Sequence, residues 1–501
     1  MLGLEREMSI IKKAGILLPV FSLPSDYGIG CFSESAYNFV DFLKNSGQSY
    51  WQILPLCPTS YGDSPYQSPS TFAGNPYMIS LKELIKEGLL TKEECDSRDF
   101  GDERYINYEK LYQNRYPLLK LAFSRSTHQN DKEYIDFINE NEFWLSSYSL
   151  FTAIKGKFRG VSWTEWDEDI KKRLPDVLSK YQKELSDEIE FCKFVQFKFF
   201  SQWKALKRYA NDSGIKIIGD IPIYASLDSS DVWANPELFM LDGNGSPQFV
   251  AGCPPDGFSD DGQLWGNPVY RWDAHQKDGF RWWISRLNHS LSLYDTVRID
   301  HFRGFDEYYS IPGEMKNART GKWEKAPGRE LFSKLKGADV IAEDLGFITD
   351  SVKELLEYTG FPGMKVVEFA FDSRDSGFQS DYLPHNYPEN SVCYTGTHDN
   401  EPLSSWLESI SEKELKMVRE YLCDEYTPLD KLNLPMISCI MQSSSKLCII
   451  PIQDYMGLGA EARINTPSTS GSNWRWRLKK SQLTKELQNT ISKITHRYGR
   501  A

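Results

Sequence analysis

A chain of 501 residues with 58 Lys and Arg against 70 Asp and Glu carries a formal net charge of −12, which argues against nucleic acid and anionic membranes as partners. At 40% hydrophobic and 26% charged, the composition is that of a globular protein with an ample core, and it excludes disorder as the dominant state. The length allows about three domains of roughly 150 residues or one barrel enlarged by insertions.

In chain order, Met1 to Lys13 is charged and helix-like, and the apolar stretch from Gly15 to Leu23 is short and interrupted by Pro19. Neither a signal peptide nor a membrane span is expected, and the expected location is cytoplasmic. Nine cysteines, among them Cys31, Cys57, Cys192, Cys253 and Cys393, are scattered without CxxC spacing or paired histidines. That pattern predicts reduced thiols and no zinc site.

Short β-branched-rich runs, several ending in a polar or acidic residue, predict strands buried on both faces. There are eight: Ala14 to Val20, Ser49 to Leu56, Ile215 to Tyr224, Thr296 to Phe302, Asp339 to Leu345, Met364 to Phe371, Ser391 to Asp399 and Lys446 to Asp454. After the first, Ser33-Glu34-Ser35 starts a helix with Ala36, Phe39, Val40 and Leu43 at helical spacing before Gly47. Amphipathic segments follow the fifth run, Asp350 to Tyr358, and the eighth, Ser481 to Arg497. Strands alternating with helices predict an α/β fold, a (β/α)8 TIM barrel.

Two connections exceed the usual 4–6 residues by far. From Leu56 to Ile215 the texture is charged and helical, which predicts a largely helical insertion over 78–210 within a single domain covering 1–501. Between Tyr224 and Thr296 lies a Gly-, Pro- and Trp-rich stretch, read as a loop-rich insertion over 225–290 above the barrel mouth. After Asp454 a loop and one helix are expected, and no C-terminal β-domain.

In such barrels the chemistry sits at the C-terminal strand ends. Period-two alternation in Thr296-Val297-Arg298-Ile299-Asp300 puts Arg298 and Asp300 on one face. The fifth run ends in Glu343 and the seventh in His398-Asp399, so Asp300, Glu343 and Asp399 are expected to converge. Each alone has a structural alternative: an ion pair with Arg298 for Asp300, a helix cap for the other two. Three together cost several kcal/mol each if buried unpaired, and catalysis is a demand that offsets it. Two carboxyl groups about 5–5.5 Å apart are what retaining glycosidic chemistry requires. Asp300 suits the nucleophile, with Arg298 expected to lower its pKa, and Glu343 suits the acid/base, raised by the charge of Asp300. Asp399 is expected to hold sugar hydroxyls and favour the oxocarbenium-like state, and His301 and His398 to hydrogen-bond those hydroxyls.

The segments Arg298-Ile299-Asp300-His301-Phe302-Arg303-Gly304, Ala342-Glu343-Asp344-Leu345-Gly346 and Thr397-His398-Asp399-Asn400 resemble the catalytic signatures of the 4-α-glucanotransferases, also called amylomaltases or disproportionating enzymes, glycoside hydrolase family 77. Ser64-Pro65-Tyr66-Gln67-Ser68, Gly219-Asp220-Ile221-Pro222-Ile223-Tyr224, the stretch from Pro254-Pro255-Asp256 to Asn267-Pro268, and Asn473-Trp474-Arg475-Trp476-Arg477 extend the resemblance over nearly the whole chain. It implies Asp300 as nucleophile, Glu343 as acid/base and Asp399 as transition-state stabiliser. It further implies that Tyr66 stacks at the donor sugar, that Asp220, Arg298, His301 and His398 contact the sugar at the cleaved bond, and that Trp265, Asp372 and Asn473 border the outer subsites. Asp375 lies close enough to be confused with Asp372. Gly257-Phe258 and Glu401-Pro402 depart from the family pattern and bear on acceptor preference.

The implied partners are maltooligosaccharides and starch- or glycogen-derived α-1,4-glucans, with glucose as acceptor; no cofactor or metal is expected. The same carboxylates serve an α-glucan hydrolase, the nearest alternative, and a catalytically silent glucan-binding protein is the other. A lid over Phe249 to Pro268, carrying Phe258 and Trp265, is the candidate for favouring transfer.

Overall fold

The computed structural model describes residues 12–255, 260–346, 348–373, 380–469 and 471–501, so all but the end of the helix-like stretch from Met1 to Lys13 lies outside the described residues. Each of the eight runs contributes one strand: β1 (Lys13–Leu17), β2 (Tyr50–Gln52), β3 (Lys216–Pro222), β4 (Thr296–Asp300), β5 (Val340–Ala342), β6 (Gly363–Val366), β7 (Ser391–Tyr394) and β8 (Leu447–Pro451). They form one parallel sheet in the order β6-β7-β8-β1-β2-β3-β4-β5. Across the seam between β5 and β6, the Ala342 N–H donates to the Pro362 carbonyl at 3.0 Å and the Met364 N–H to Asp344 Oδ1 at 2.6 Å. The sheet thus closes into a barrel.

Strand interiors alternate as a closed sheet requires. Leu17, Ile218, Ile341, Met364, Val366, Val392, Tyr394 and Ile449 fill the inside, while Ala14, Ile16, Trp51, Ile217, Val297, Ile299, Cys393 and Cys448 pack outward. The helix Glu34–Asn45 presents Ala36, Phe39, Val40 and Leu43 to the core, the spacing read from sequence, and stops ahead of Gly47 at φ 70°. The other two amphipathic segments are the helices Asp350–Thr359 and Lys485–Arg497, the latter starting behind a Thr484 cap. Between β2 and β3 the chain is mostly helical, with Tyr108–Arg125, Lys132–Lys157 and Ser186–Asp212 as its longest members.

Three sequence expectations need correction. The strands are shorter than their apolar runs, most clearly β2, because buried residues such as Ile53, Leu54 and Leu56 continue the run after the ladder has ended. The run Met364 to Phe371 leaves the ladder at Val366 and turns into a 3₁₀ segment, Val367–Phe371; no α-helix follows before β7 among the described residues. Finally, the stretch read as loop after β3 holds two strands, Phe249–Cys253 and Gln263–Pro268. Their partners Glu307–Pro312 and Lys322–Lys325 come from beyond β4, giving a four-stranded antiparallel sheet beside the mouth. A pairing between segments so far apart has no local signal.

Candidate active site

Asp220 on β3 and Arg298 on β4 are register partners, and both point into the mouth. Arg298, 3% exposed, rests its Nε on Met364 Sδ at 3.4 Å, so the interior layer is its floor. Its Nη1 donates to both oxygens of the fully buried Asp220, at 2.9 and 2.7 Å, and its Nη2 to Asp300 Oδ1 at 3.0 Å. Tyr66 donates its hydroxyl to Asp220 Oδ2 at 2.9 Å. One guanidinium therefore serves two carboxylates.

Burial corrects one expectation. Burial raises the Asp300 pKa above its ordinary value; Arg298 opposes the rise, while Asp220 and Asp399 add to it. Arg298 does lower it, but burial outweighs that effect, and Asp220 on the same guanidinium adds to the rise. For Arg298 burial works against the charged form, and the fields of Asp220 and Asp300 outweigh it, so the cation is held firmly.

Directly after Asp300, His301 adopts φ 54°, ψ 48°, a left-handed conformation that costs a non-glycine residue about 1–2 kcal/mol. The turn aims its N–H at Glu343 Oε2, 2.7 Å away, and the Leu345 N–H reaches Oε1 at 2.8 Å. Asp300 and Glu343 thus stand at the ends of adjacent strands, β4 and β5. The neighbouring Asp344 faces the other way, onto the Met364 N–H at the seam. Burial, then the charge of Asp300, push the Glu343 pKa up to about 7, against Arg298 and the two backbone donors. Burial lowers His301 to about 3, so its ring is neutral; Trp265 meets it edge-on, centroids 4.8 Å apart.

Asp399 enters from the turn behind β7 and opens toward the cleft. Asn465 donates to its Oδ1 at 2.6 Å, and His398 Nε2 lies 3.4 Å from its Oδ2. The His398 ring stacks on Tyr66, centroids 5.2 Å apart and planes within 12°, and Trp474 packs against both. The structure thus gathers Tyr66, Asp220, Arg298, Asp300, His301, Glu343, His398 and Asp399, with Trp265 at the rim. Asp372 lies half-buried beyond the 3₁₀ segment after β6. Asn473 uses its side chain on its own loop, accepting from the Thr466 N–H and donating to Thr466 and Thr469. Asp256, Gly257, Phe258 and Asp375 lie outside the described residues.

Sequence patterns pass over three groups at the site. Arg463 and Asn465 flank the buried Ile464, the same period-two signature as Arg298 and Asp300, but outside any strand run. Glu368 is an ionisable residue inside an apolar run, and that break in the run is itself a signal.

Residues 18–484 match the family model described as 4-alpha-glucanotransferase. The chain belongs to that family. The 4-alpha-glucanotransferase of Clostridium butyricum is 48% identical over 96% of this chain and 99% of its own, and that of Aquifex aeolicus 47% over 98% and 100%. The amylomaltase of Streptococcus agalactiae, solved with acarbose, superposes with a TM-score of 0.94 at 41% identity, over 98% of this chain and all of its own. As a 4-α-glucanotransferase, this protein catalyses transglycosylation on α-1,4-glucans.

The electrostatics of this glucanotransferase predict a pH profile. If Glu343 gives a proton from a pKa of about 7, kcat/KM falls tenfold per unit above that value. A profile with maltotriose between pH 5 and 9 checks this, and a flat line from 6 to 9 rejects it. The same raised carboxyl stabilises the fold fully below its unfolded value of about 4.3, and that contribution is lost as pH rises through about 7.

Proposed function

We propose that the reaction runs by double displacement through a covalent glycosyl-Asp300 ester. Asp300 attacks the anomeric carbon of a bound α-1,4-glucan while Glu343 protonates the departing glycosidic oxygen. Esterification removes the charge of Asp300, so the Glu343 pKa drops and the carboxylate becomes a base for the acceptor's 4-hydroxyl. Asp399 holds sugar hydroxyls as the ring flattens. The observation that carries this reading is the pairing of Asp300 and Glu343 on adjacent strand ends, the first on Arg298, the second on the His301 and Leu345 N–H groups.

Tyr66 with His398 offers a stacked face for the donor sugar, and Asp220 and Arg298 are assigned to polar contacts at the cleaved bond. Trp265, Asp372 and Asn473 are assigned to outer subsites and the loops around them. Donors are maltooligosaccharides and starch- or glycogen-derived chains, glucose and glucans are acceptors, and the location is cytoplasmic. Acarbose, bound by the S. agalactiae enzyme, is expected to inhibit.

Water at about 55 M competes with an acceptor at about 10 mM, so a tenfold preference for transfer needs about 6 kcal/mol of selectivity. That contribution is assigned to Trp265, whose ring packs against His301 and Tyr224. Incubation with maltotriose alone is expected to give glucose and longer oligosaccharides with little gain in reducing ends, and none with Asp300→Asn. Rising reducing ends without longer products would make the enzyme a hydrolase. In Trp265→Ala the ratio of transfer to hydrolysis is expected to fall severalfold; an unchanged ratio removes Trp265 from that role.

A further inference from the structure

Beneath the turn that carries Asp399 lies a buried carboxyl that the reaction above does not use. Glu368, 7% exposed, stands in the 3₁₀ segment after β6, and its Oε2 accepts from Asn400 Nδ2 at 2.9 Å. The other end of that amide, Asn400 Oδ1, accepts from both the N–H and the hydroxyl of Thr397, at 2.9 and 2.8 Å. Thr397 Oγ1 in turn accepts the Asp399 N–H at 3.3 Å. The chain of contacts runs from β6 to the backbone of Asp399.

We propose that Glu368 is a positioning residue for Asp399, acting through Asn400 and Thr397. An asparagine side chain is close to symmetric in shape, and only its partners decide which end is oxygen. The Thr397 N–H can only donate, so the end it meets must be Oδ1; Nδ2 at the other end then needs an acceptor, which Glu368 Oε2 supplies. The fit is tight as well: a Cβ placed on Gly396 would lie 3.0 Å from both Glu368 Oε1 and Asn400 Cβ, so the turn sits directly on the carboxyl. Among the described residues, the charged groups acting on Glu368 are Asp454, Glu401 and Arg463. Burial, reinforced by Asp454 and Glu401, favours the uncharged acid, and a neutral amide of the same shape offers Asn400 the same acceptor.

The inference rests on the assignment of Asp399 to the transition state, and the test separates the two. Glu368→Leu keeps the volume and removes the acceptor; Glu368→Gln keeps both. With maltotriose, kcat of Glu368→Leu is expected to fall on the order of 10–100-fold while KM moves less than about twofold, because a displaced carboxylate costs more at the transition state than in the ground state. Glu368→Gln is expected to restore kcat to within about threefold, a rescue that general loosening of the fold would not show. If Glu368→Leu does not fold, Asn400→Ser, which cannot bridge Thr397 to Glu368, takes its place, with a 10–100-fold fall again expected. Wild-type kcat in the leucine or serine variant, or a glutamine variant as slow as the leucine one, overturns the proposal. Full activity in Asp399→Asn would instead remove the assignment on which it rests.

Discussion

Replacing Glu343 by alanine is expected to slow transfer from maltotriose by on the order of 10²–10⁴-fold, yet leave Asp300 able to capture a glycosyl group. The separation follows from the leaving group. A glucosyl alkoxide must be protonated to depart, whereas the fluoride of α-maltosyl fluoride leaves without a proton. In the alanine variant that donor should load Asp300 and then stall, since nothing deprotonates the acceptor, and intact-mass measurement should show one maltosyl group on the protein. Azide needs no base and should release maltosyl azide with the α configuration retained. Alanine is the better probe here than glutamine, because both Glu343 oxygens accept backbone N–H groups and an amide would turn its own NH₂ toward one of them. Asp300→Asn is expected to lose roughly 10⁴–10⁶-fold and to show no adduct. Wild-type turnover in Glu343→Ala, or an adduct that persists in Asp300→Asn, would overturn the division of labour.

Arg298→Leu is expected to cost about 3–5 kcal/mol of stability as well as most of the activity. It leaves Asp220, fully buried, and Asp300 beside it without the cation that serves both. Lysine is a poor substitute, since a single ammonium cannot reproduce the fork that reaches two carboxylates and still lies against Met364. The companion variant tests the cause. Adding Asp220→Asn to Arg298→Leu removes one of the stranded charges and should recover much of the stability, though not the activity. Denaturant unfolding of the single and double variants measures both effects. A loss below about 1 kcal/mol in Arg298→Leu, or no recovery in the double variant, would mean that Asp220, Arg298 and Asp300 are not held by this charge balance.

Much of this glucanotransferase is legible in its amino-acid sequence. Eight apolar runs announce eight strands because burial on both faces leaves a mark within each strand. Ala36, Phe39, Val40 and Leu43 announce the first helix by spacing alone. The alternation of Arg298 and Asp300 about Ile299 determines which side chains face the mouth, and the strand-end rule then brings Asp300, Glu343 and Asp399 to one end. All of these are short-range patterns. The tertiary structure decides what depends on segments meeting across the chain: the pairing of 249–253 with 307–312, the use of Asn473 within its own loop, the approach of Asn465 to Asp399, and the placement of Glu368 under the Asp399 turn. It also reverses the direction expected for Asp300. In sequence Arg298 stands two residues from Asp300 and reads as its counter-ion; in the fold the barrel excludes water, which outweighs that pairing, and β3 brings Asp220 to the same guanidinium. A charge on a chain is a local property, but its field is shared out by whatever the fold places around it.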